Sequence, residues 1–408
     1  MFKKTTTFVF GLLSLTTFAQ NATDDDLQLR RNVITTALPF MAITPDSRAG
    51  AMGDAGTALS GTSASIYWNT SMLIFAEDDS EIGLSYVPWL KQLTNDIHLS
   101  YLSGYKQLND RHVVGGALRY FSLGNITYTT DQAQVIAEDK PSEFELTGAY
   151  GFKLTDKMAI GINGKFAYSN LTGGNISGAS TSKPAIAGAA DISFTYMNDQ
   201  VRMGDVKGKY VFATTINSIG NKVSYSESVE RDFLPMNLKI GNAFTFDIDE
   251  YNSLTASVDL QRFLVPTLPR TANDATILSG MNPDVGVVAG MIQSFYDAPG
   301  ILVEDENGDN VQNADGSYQV ESNSRLIEEL NEINIATGFE YWYNDLIAIR
   351  TGLFYEHATK GNRKYFNAGV GLKYNAFHID LSYLGAFTQT NPLANTLRFT
   401  LRMTLGKA

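Results

Sequence analysis

The sequence predicts an all-β protein, a transmembrane barrel of fourteen antiparallel strands. Three observations point there. Segments alternating apolar and polar side chains recur from residue 82 onward, and a period of two belongs to strands with unlike faces. Short and long connections take turns, as in outer-membrane barrels, where one end has tight turns and the other long loops. An export leader opens the chain, and no later stretch has the apolar length of a membrane helix.

The leader is residues 1–19, with Lys3 and Lys4, an apolar run from Phe8 to Phe18, and Thr17 and Ala19 placed for cleavage before Gln20. Its apolar core is too short to span a bilayer. Cysteine is absent, which excludes disulfide stapling, thiol catalysis and a cysteine-linked lipid together. A net charge of −12 argues against a nucleic-acid partner. The 20 Tyr and 23 Phe of this otherwise polar chain fit alternating strands better than one deep core.

The candidate strands are 82–90, 96–106, 111–123, 142–154, 158–170, 183–197, 209–220, 235–248, 252–265, 332–344, 346–358, 364–374, 376–387 and 395–406. The last is the clearest: Leu397, Phe399, Leu401, Met403 and Leu405 point one way, and Arg398, Thr400, Arg402 and Thr404 the other. Most reach the roughly 9–11 residues that a tilted strand needs to cross a bilayer. Connections after even-numbered strands are tight (107–110, 155–157, 249–252, 344–345, 375–376), with 198–208 the longer exception. After odd-numbered strands they are long at 124–141, 171–182, 221–234 and 266–331, and shorter at 91–95, 359–363 and 388–394. An even strand count puts both termini in the periplasm. A soluble sandwich would also alternate. The barrel is favoured by the polar face, where Glu143, Glu145, Lys153, Lys165, Lys239, Arg350, Asp380, Arg398 and Arg402 oppose nearly unbroken apolar rows.

No strand begins before residue 82. Fourteen strands enclose more space than their own side chains fill, so the bore needs a plug or a ligand. After a periplasmic lead-in at 20–37, the segment 38–76 has the size and chemistry of such a hatch. Gly50, Gly53 and Gly56 let its backbone approach the wall closely. Asp46, Arg48 and Asp54 can pair with inward charges, and Tyr67 and Trp68 supply bulky anchors. The other reading is a flexible exported tail.

The stretch "ITPDSRAGAMGDAGTALSGTSASIYWNTSML" (43–73) resembles the amino-terminal signature of the PorV family of the type IX secretion system, within the wider FadL-like superfamily. The similarity continues through "EIGLSYVPWL" (81–90) and reappears at "SFYDAPG" (294–300) and "SRLIEELNEI" (324–333). The resemblance implies a FadL-like outer-membrane barrel with an amino-terminal hatch. It also implies a shuttle that takes cargo proteins bearing a carboxy-terminal secretion domain from the translocon barrel to the surface attachment complex and its sortase-like subunit. Two departures stand out. Relatives commonly have Trp-Asn-Pro where this chain has Trp68-Asn69-Thr70, and the chain ends on Ala408 rather than on an aromatic residue.

Enzyme motifs are missing. His98, His112, His357 and His378 lie on separate strands or strand ends without metal-ligand spacing, which suits wall or rim residues better than a metal site. There is no Gly-x-Ser-x-Gly elbow, phosphate loop or His-Glu-x-x-His, so neither catalysis nor a cofactor is expected. Residues 304–316 approach a calcium loop through Asp305, Asn307 and Asp309. Asn310 replaces its glycine and Gly316 its bidentate glutamate, which favours a solvated acidic turn.

The long extracellular loop 266–331 carries two candidate helices. One is capped by Asn282 and begins at Pro283, with an apolar stripe of Val287, Val288, Met291, Ile292, Phe295 and Tyr296. The other starts at Ser322 or Ser324 and aligns Leu326, Ile327, Leu330 and Ile333. Such stripes either fold as a lid on the barrel mouth or bind a partner. Met291, Phe295, Tyr296, Leu326 and Leu330 are the expected cargo contacts. The alternative function is FadL-like transport of hydrophobic small molecules, which needs an apolar lumen pocket and a wall opening such as Gly115 and Gly116 would permit.

Overall fold

The computed structural model describes residues 31–406 apart from 91–93, 95, 131, 172–182, 204–205, 227–230 and 388–394. The expected leader and residues 20–30 of the lead-in lie outside the described residues.

Alternation becomes strand wherever the sequence showed it. The wall begins with β1 (Ser80–Pro88), β2 (Ile97–Asn109) and β3 (His112–Leu123). A hairpin of β4 (Ile126–Thr129) and β5 (Val135–Asp139) stands outside the wall. The wall continues with β6 (Ser142–Thr155), β7 (Met158–Asn170), β8 (Ala185–Met203), β9 (Val206–Gly220), β10 (Asn237–Asp247) and β11 (Asn252–Phe263). A second small hairpin, β12 (Arg270–Thr271) and β13 (Ile277–Ser279), sits in the long loop. The wall ends with β14 (Asn334–Tyr343), β15 (Ile347–Tyr355), β16 (Lys364–Tyr374), β17 (Phe377–Ala386) and β18 (Thr396–Thr404). Each barrel strand pairs antiparallel with its neighbours, and β1 pairs with β18 to close a fourteen-stranded barrel.

The tight turns have the chemistry their geometry demands. Asn344 and Asp345, between β14 and β15, both adopt positive φ (53° and 48°), the backbone of a two-residue hairpin whose twist matches the strands. Polar side chains face the bore: Arg398 and Arg402 of β18 are buried while Leu397, Phe399 and Leu401 are exposed. Tyr251, Tyr343 and Tyr374 lie exposed at the turn end, and Tyr86, Tyr120 and Tyr355 at the loop end. These are two aromatic belts flanking an apolar band, the dress of a bilayer-spanning barrel.

One expectation about a connection is corrected. The stretch 198–208 is no long turn, because β8 and β9 run on through it with Val201 opposite Gly208 and Arg202 opposite Lys207. Polar residues occupy both faces there, so the alternation that reveals a strand is missing. The long connection 124–141 stays a connection and folds back within itself as the β4–β5 hairpin.

The segment before β1 fills the bore. It forms a 3-10 turn at Pro39–Ala42, helices α1 (Ser47–Ala51) and α2 (Ser65–Trp68), and a 3-10 turn at Thr70–Phe75. Residues 32–37, expected in a lead-in at the turn end, lie instead at the long-loop end of the barrel. The Asn32 N–H donates to Thr359 O (2.8 Å), its side chain to Leu268 O (3.0 Å), and the Ala37 N–H to Phe233 O (2.8 Å). All three acceptors lie in connections at the long-loop end. The chain therefore threads down the bore from that end and emerges at Ser80 beside Thr404. Strand parity fixes only where β1 starts and β18 stops, and says nothing of a segment that traverses the lumen first.

Gly53 marks the closest approach of plug to wall. Its φ is +69°, and a Cβ there would meet Leu353 O at 2.5 Å and Thr337 O at 2.7 Å. Gly53→Ala therefore combines αL strain, of order 1–3 kcal/mol, with a backbone clash. It should lower the temperature at which the folded band is lost on a heat-modifiability gel, while Ala58→Gly, elsewhere in the plug, should shift it less.

Candidate functional site

The plug is held by a relay of buried charges near the turn end. Arg48 of α1 meets Glu340 of β14 with both nitrogens, at 2.8 and 2.7 Å. Glu340 also accepts from Arg350 (2.6 Å), Arg350 donates to Asp380 (2.6 Å), and Asp380 accepts from Arg402 (3.1 Å). Arg402 reaches Glu81 (2.9 Å), which accepts the Ser63 N–H of the plug at 2.7 Å and returns the relay to its origin. Strand pairing stacks these side chains on one inward face, with Glu340 opposite Arg350 and Gly371 opposite Asp380. In a low-dielectric interior such charges are tolerated only because each has opposite partners at contact distance.

The other expected plug residues are brought together around α2. Asp46 caps α1 through the Ala49 N–H (3.0 Å) and accepts from Trp68 Nε1 (2.6 Å). Gly56 lies against the Trp68 ring and Gly50 against Arg398. The ammonium of Lys239 lies 4.4 Å from the Trp68 ring centre, and the Arg119 guanidinium 4.6 Å from that of Tyr67. Asp54 accepts from Tyr365 Oη (2.5 Å). Asn69 donates to Thr57 O (3.0 Å) and Thr195 Oγ1 (2.9 Å) and accepts the Ser71 N–H (3.1 Å). Its side chain thus fixes the turn that leads into Thr70.

Between the plug and the loops lies a chamber of about 870 Å³. Leu38, Phe40, Trp89, Phe121 and Leu123 line one side, and Glu356, Lys360, Arg363 and Arg398 the other. At the turn end a polar vestibule of about 350 Å³ includes Arg48, Glu77, Lys209 and His378. The plug separates the two.

The long loop is clamped to the rim by groups the sequence reading passed over. Its helices are α3 (Val287–Gln293) and α4 (Ser324–Asn331). α3 starts four residues later than expected, because Asn282 accepts the Asp284 N–H (2.9 Å) in a local turn instead of capping a helix. Arg262 of β11 bonds the Ser294 carbonyl, Glu329 and Glu332. Lys360 reaches Glu328 (2.8 Å) and Glu332 (2.9 Å). Asp297 accepts the Thr267 N–H (3.0 Å) through Oδ2, while its Oδ1 has no partner. These residues were invisible beforehand because their partners lie 28 to 70 positions away.

Met291 is half-buried beside Phe233, Met236 and Leu264, whereas Phe295, Tyr296, Leu326 and Leu330 are exposed. The histidines stay apart: His112 bonds Tyr150 Oη (2.6 Å), His357 bonds Thr359 (2.9 Å), and His378 faces the vestibule. Asp305 accepts the N–H groups of Asn307 (2.8 Å) and Asp309 (3.0 Å), folding the acidic stretch into a turn on itself. Among the described residues no group of three or more acidic or histidine side chains is placed to hold a metal ion.

The profile of the family described as "Type IX secretion system protein PorV" matches residues 26–270. No curated protein matches the chain. Among solved structures, the Pseudomonas putida toluene transporter TodX is 13% identical over 89% of this chain and 99% of that chain, with a TM-score of 0.47. A Pseudomonas aeruginosa FadL homologue is 10% identical over 92% and 100%, with a TM-score of 0.43. The barrel itself rests on the strand register and not on these likenesses.

Arg48→Ala leaves Glu340 with Arg350 alone. Breaking a buried pair costs roughly 3 kcal/mol or more, so hydrogen exchange within 39–76 should quicken by about two decades while strand amides keep their protection. For the loop, burial above all, with Glu332 and Glu329 nearby, pushes the Asp297 carboxyl from 3.8 up to about 6. A raised carboxyl stabilises the docked loop fully below its free value, and that contribution is lost as pH rises through about 6. Protease nicking of 266–331 should therefore be faster at about pH 8 than at about pH 5, and Asp297→Asn should flatten the difference.

Proposed function

Because this chain belongs to the PorV family of the type IX secretion system, we propose that it is an outer-membrane carrier. It receives proteins bearing a carboxy-terminal secretion domain from the translocon barrel and passes them to the surface attachment complex and its sortase-like subunit. The long-loop end faces the cell exterior, and cargo is held there by binding and release without bond chemistry.

The observation that carries this reading is the plugged bore. A lumen filled by the plug, which paired charges tie to one side of the wall, offers no route for a polypeptide, so a protein cargo has to be met at the barrel's end. The polar tip of the long loop, 301–320, is the proposed contact. It forms a narrow ribbon, with Leu302 bridged to Val320 and Gln312 to Tyr318, and exposed edges of this kind accept an added strand. Carriers of many cargos need quick release, which suits backbone pairing on a small ribbon better than a deep anchor.

A second reading, passage of hydrophobic small molecules, is favoured by one feature, the apolar side of the chamber beneath the loops. The two part in reconstituted material. A purified carboxy-terminal secretion domain should co-elute with the detergent-solubilised barrel, and removal of 301–320 should weaken that binding by about tenfold, or ~1.4 kcal/mol, with the barrel still folded. Failure to co-elute, together with barrel-dependent uptake of an apolar solute into liposomes, would transfer the assignment to transport.

A further inference from the structure

We propose that the outer faces of α3 and α4 rest in the lipid of the outer leaflet, as a lateral extension of the barrel's apolar wall. This goes beyond the carrier role and stands on the barrel alone.

The starting point is the parity of Arg262. Strand register aligns Ile216, Leu238 and Arg262 in one cross-strand row. Side chains in one row share a face, and this row alternates with the inward Thr215, Lys239 and Gln261. Arg262 thus places a guanidinium on the outer, lipid-facing side at the loop end of β11. Water would solvate it without help. Instead it is wrapped: Glu329 and Glu332 of the α4 side accept from it, the Ser294 carbonyl at the end of α3 accepts from it, and the Phe295 ring lies 5.0 Å away.

Of the two helices that do the wrapping, α4 is inside out and α3 carries more apolar surface than it buries. In water an amphipathic helix buries its apolar stripe. Here α4 buries Ser324 and Glu329 and leaves Leu326, Ile327 and Leu330 exposed at 60%, 56% and 57%. α3 packs Val287 and Met291 inward against Phe233, Met236 and Leu264, yet still leaves Val288, Ile292 and Tyr296 exposed at 67%, 58% and 60%. Polar inside and apolar outside, as on α4, is the pattern of the barrel wall. It makes sense where the outer medium is hydrocarbon.

Continuity with that wall identifies the medium. α4 ends at Asn331, and β14 begins three residues later at Asn334. The outward residue Ile335 of β14 lies opposite Tyr355 of the upper aromatic belt. The apolar face of α4 therefore begins at the level of the membrane interface. The apolar skin that Arg262 interrupts is restored by the far sides of the helices that cover it.

The chain has no cysteine, so single labels are unambiguous. Ile292→Cys, Phe295→Cys and Leu326→Cys sample the proposed face on two helices, so misfolding of one leaves the comparison intact. Ser317→Cys, on the polar tip, is the control. Each is labelled with a polarity-sensitive fluorophore and reconstituted into phosphatidylcholine vesicles with or without acyl-brominated phospholipid. Bromine should cut emission at the three face positions by about twofold or more, as for interfacial helices, and leave Ser317→Cys unchanged. Face labels as bright as the control in brominated lipid, or shielded only when a cargo domain is added, would overturn the proposal and make the face a protein-docking surface.

Discussion

Everything in this structure depends on charges that have nowhere to go but to each other. Arg48, Glu340, Arg350, Asp380, Arg402 and Glu81 sit inside a barrel whose outer surface is apolar. An isolated ion there would cost several kcal/mol, so the arrangement survives only when the plug delivers its arginine and its Ser63 N–H to complete the ring. Plug and wall are therefore one folding problem. The charged lining that keeps the bore closed is complete only once the segment that closes it is in place.

The same rule recurs at the rim with the geometry reversed. Arg262 stands on the outer row, and α4 turns its acidic side to it while the end of α3 offers the Ser294 carbonyl. Lys360 brings the β15–β16 connection to one of those acids, Glu332, and, through Glu328, to Asn32. One polar knot thus ties the long loop, a neighbouring loop and the entering amino-terminal segment together. Beneath it the chamber is left with one apolar and one charged side, while the polar tip 301–320 projects beyond.

How much of this the sequence disclosed follows from what alternation reports. Where one face meets hydrocarbon and the other a charged bore, as in Leu397 to Arg402, the period of two is unmistakable, and the fourteen strands follow. Where both faces are wet, as in 198–208 and 124–141, the signal disappears although the strands do not. Small residues and paired charges marked 38–76 as the filling of the bore. Its direction of travel was hidden, because nothing local in Asn32 to Ala37 says that its partners are Thr359, Leu268 and Phe233. The stripes of α3 and α4 were legible as amphipathic, but periodicity is blind to which face is outward. Arg262 decides that, and its role depends on a register spanning three strands.

The central claim is that the wild-type barrel is a closed body, stopped by its own amino-terminal segment. Single-molecule conductance of the purified protein in a planar bilayer tests it most directly. The account predicts insertion without discrete current steps across the voltage range in which the bilayer itself is stable. A steady open-channel current from the intact protein would show that the paired charges do not seal the bore, and the argument for a carrier that works at its rim would fall with it.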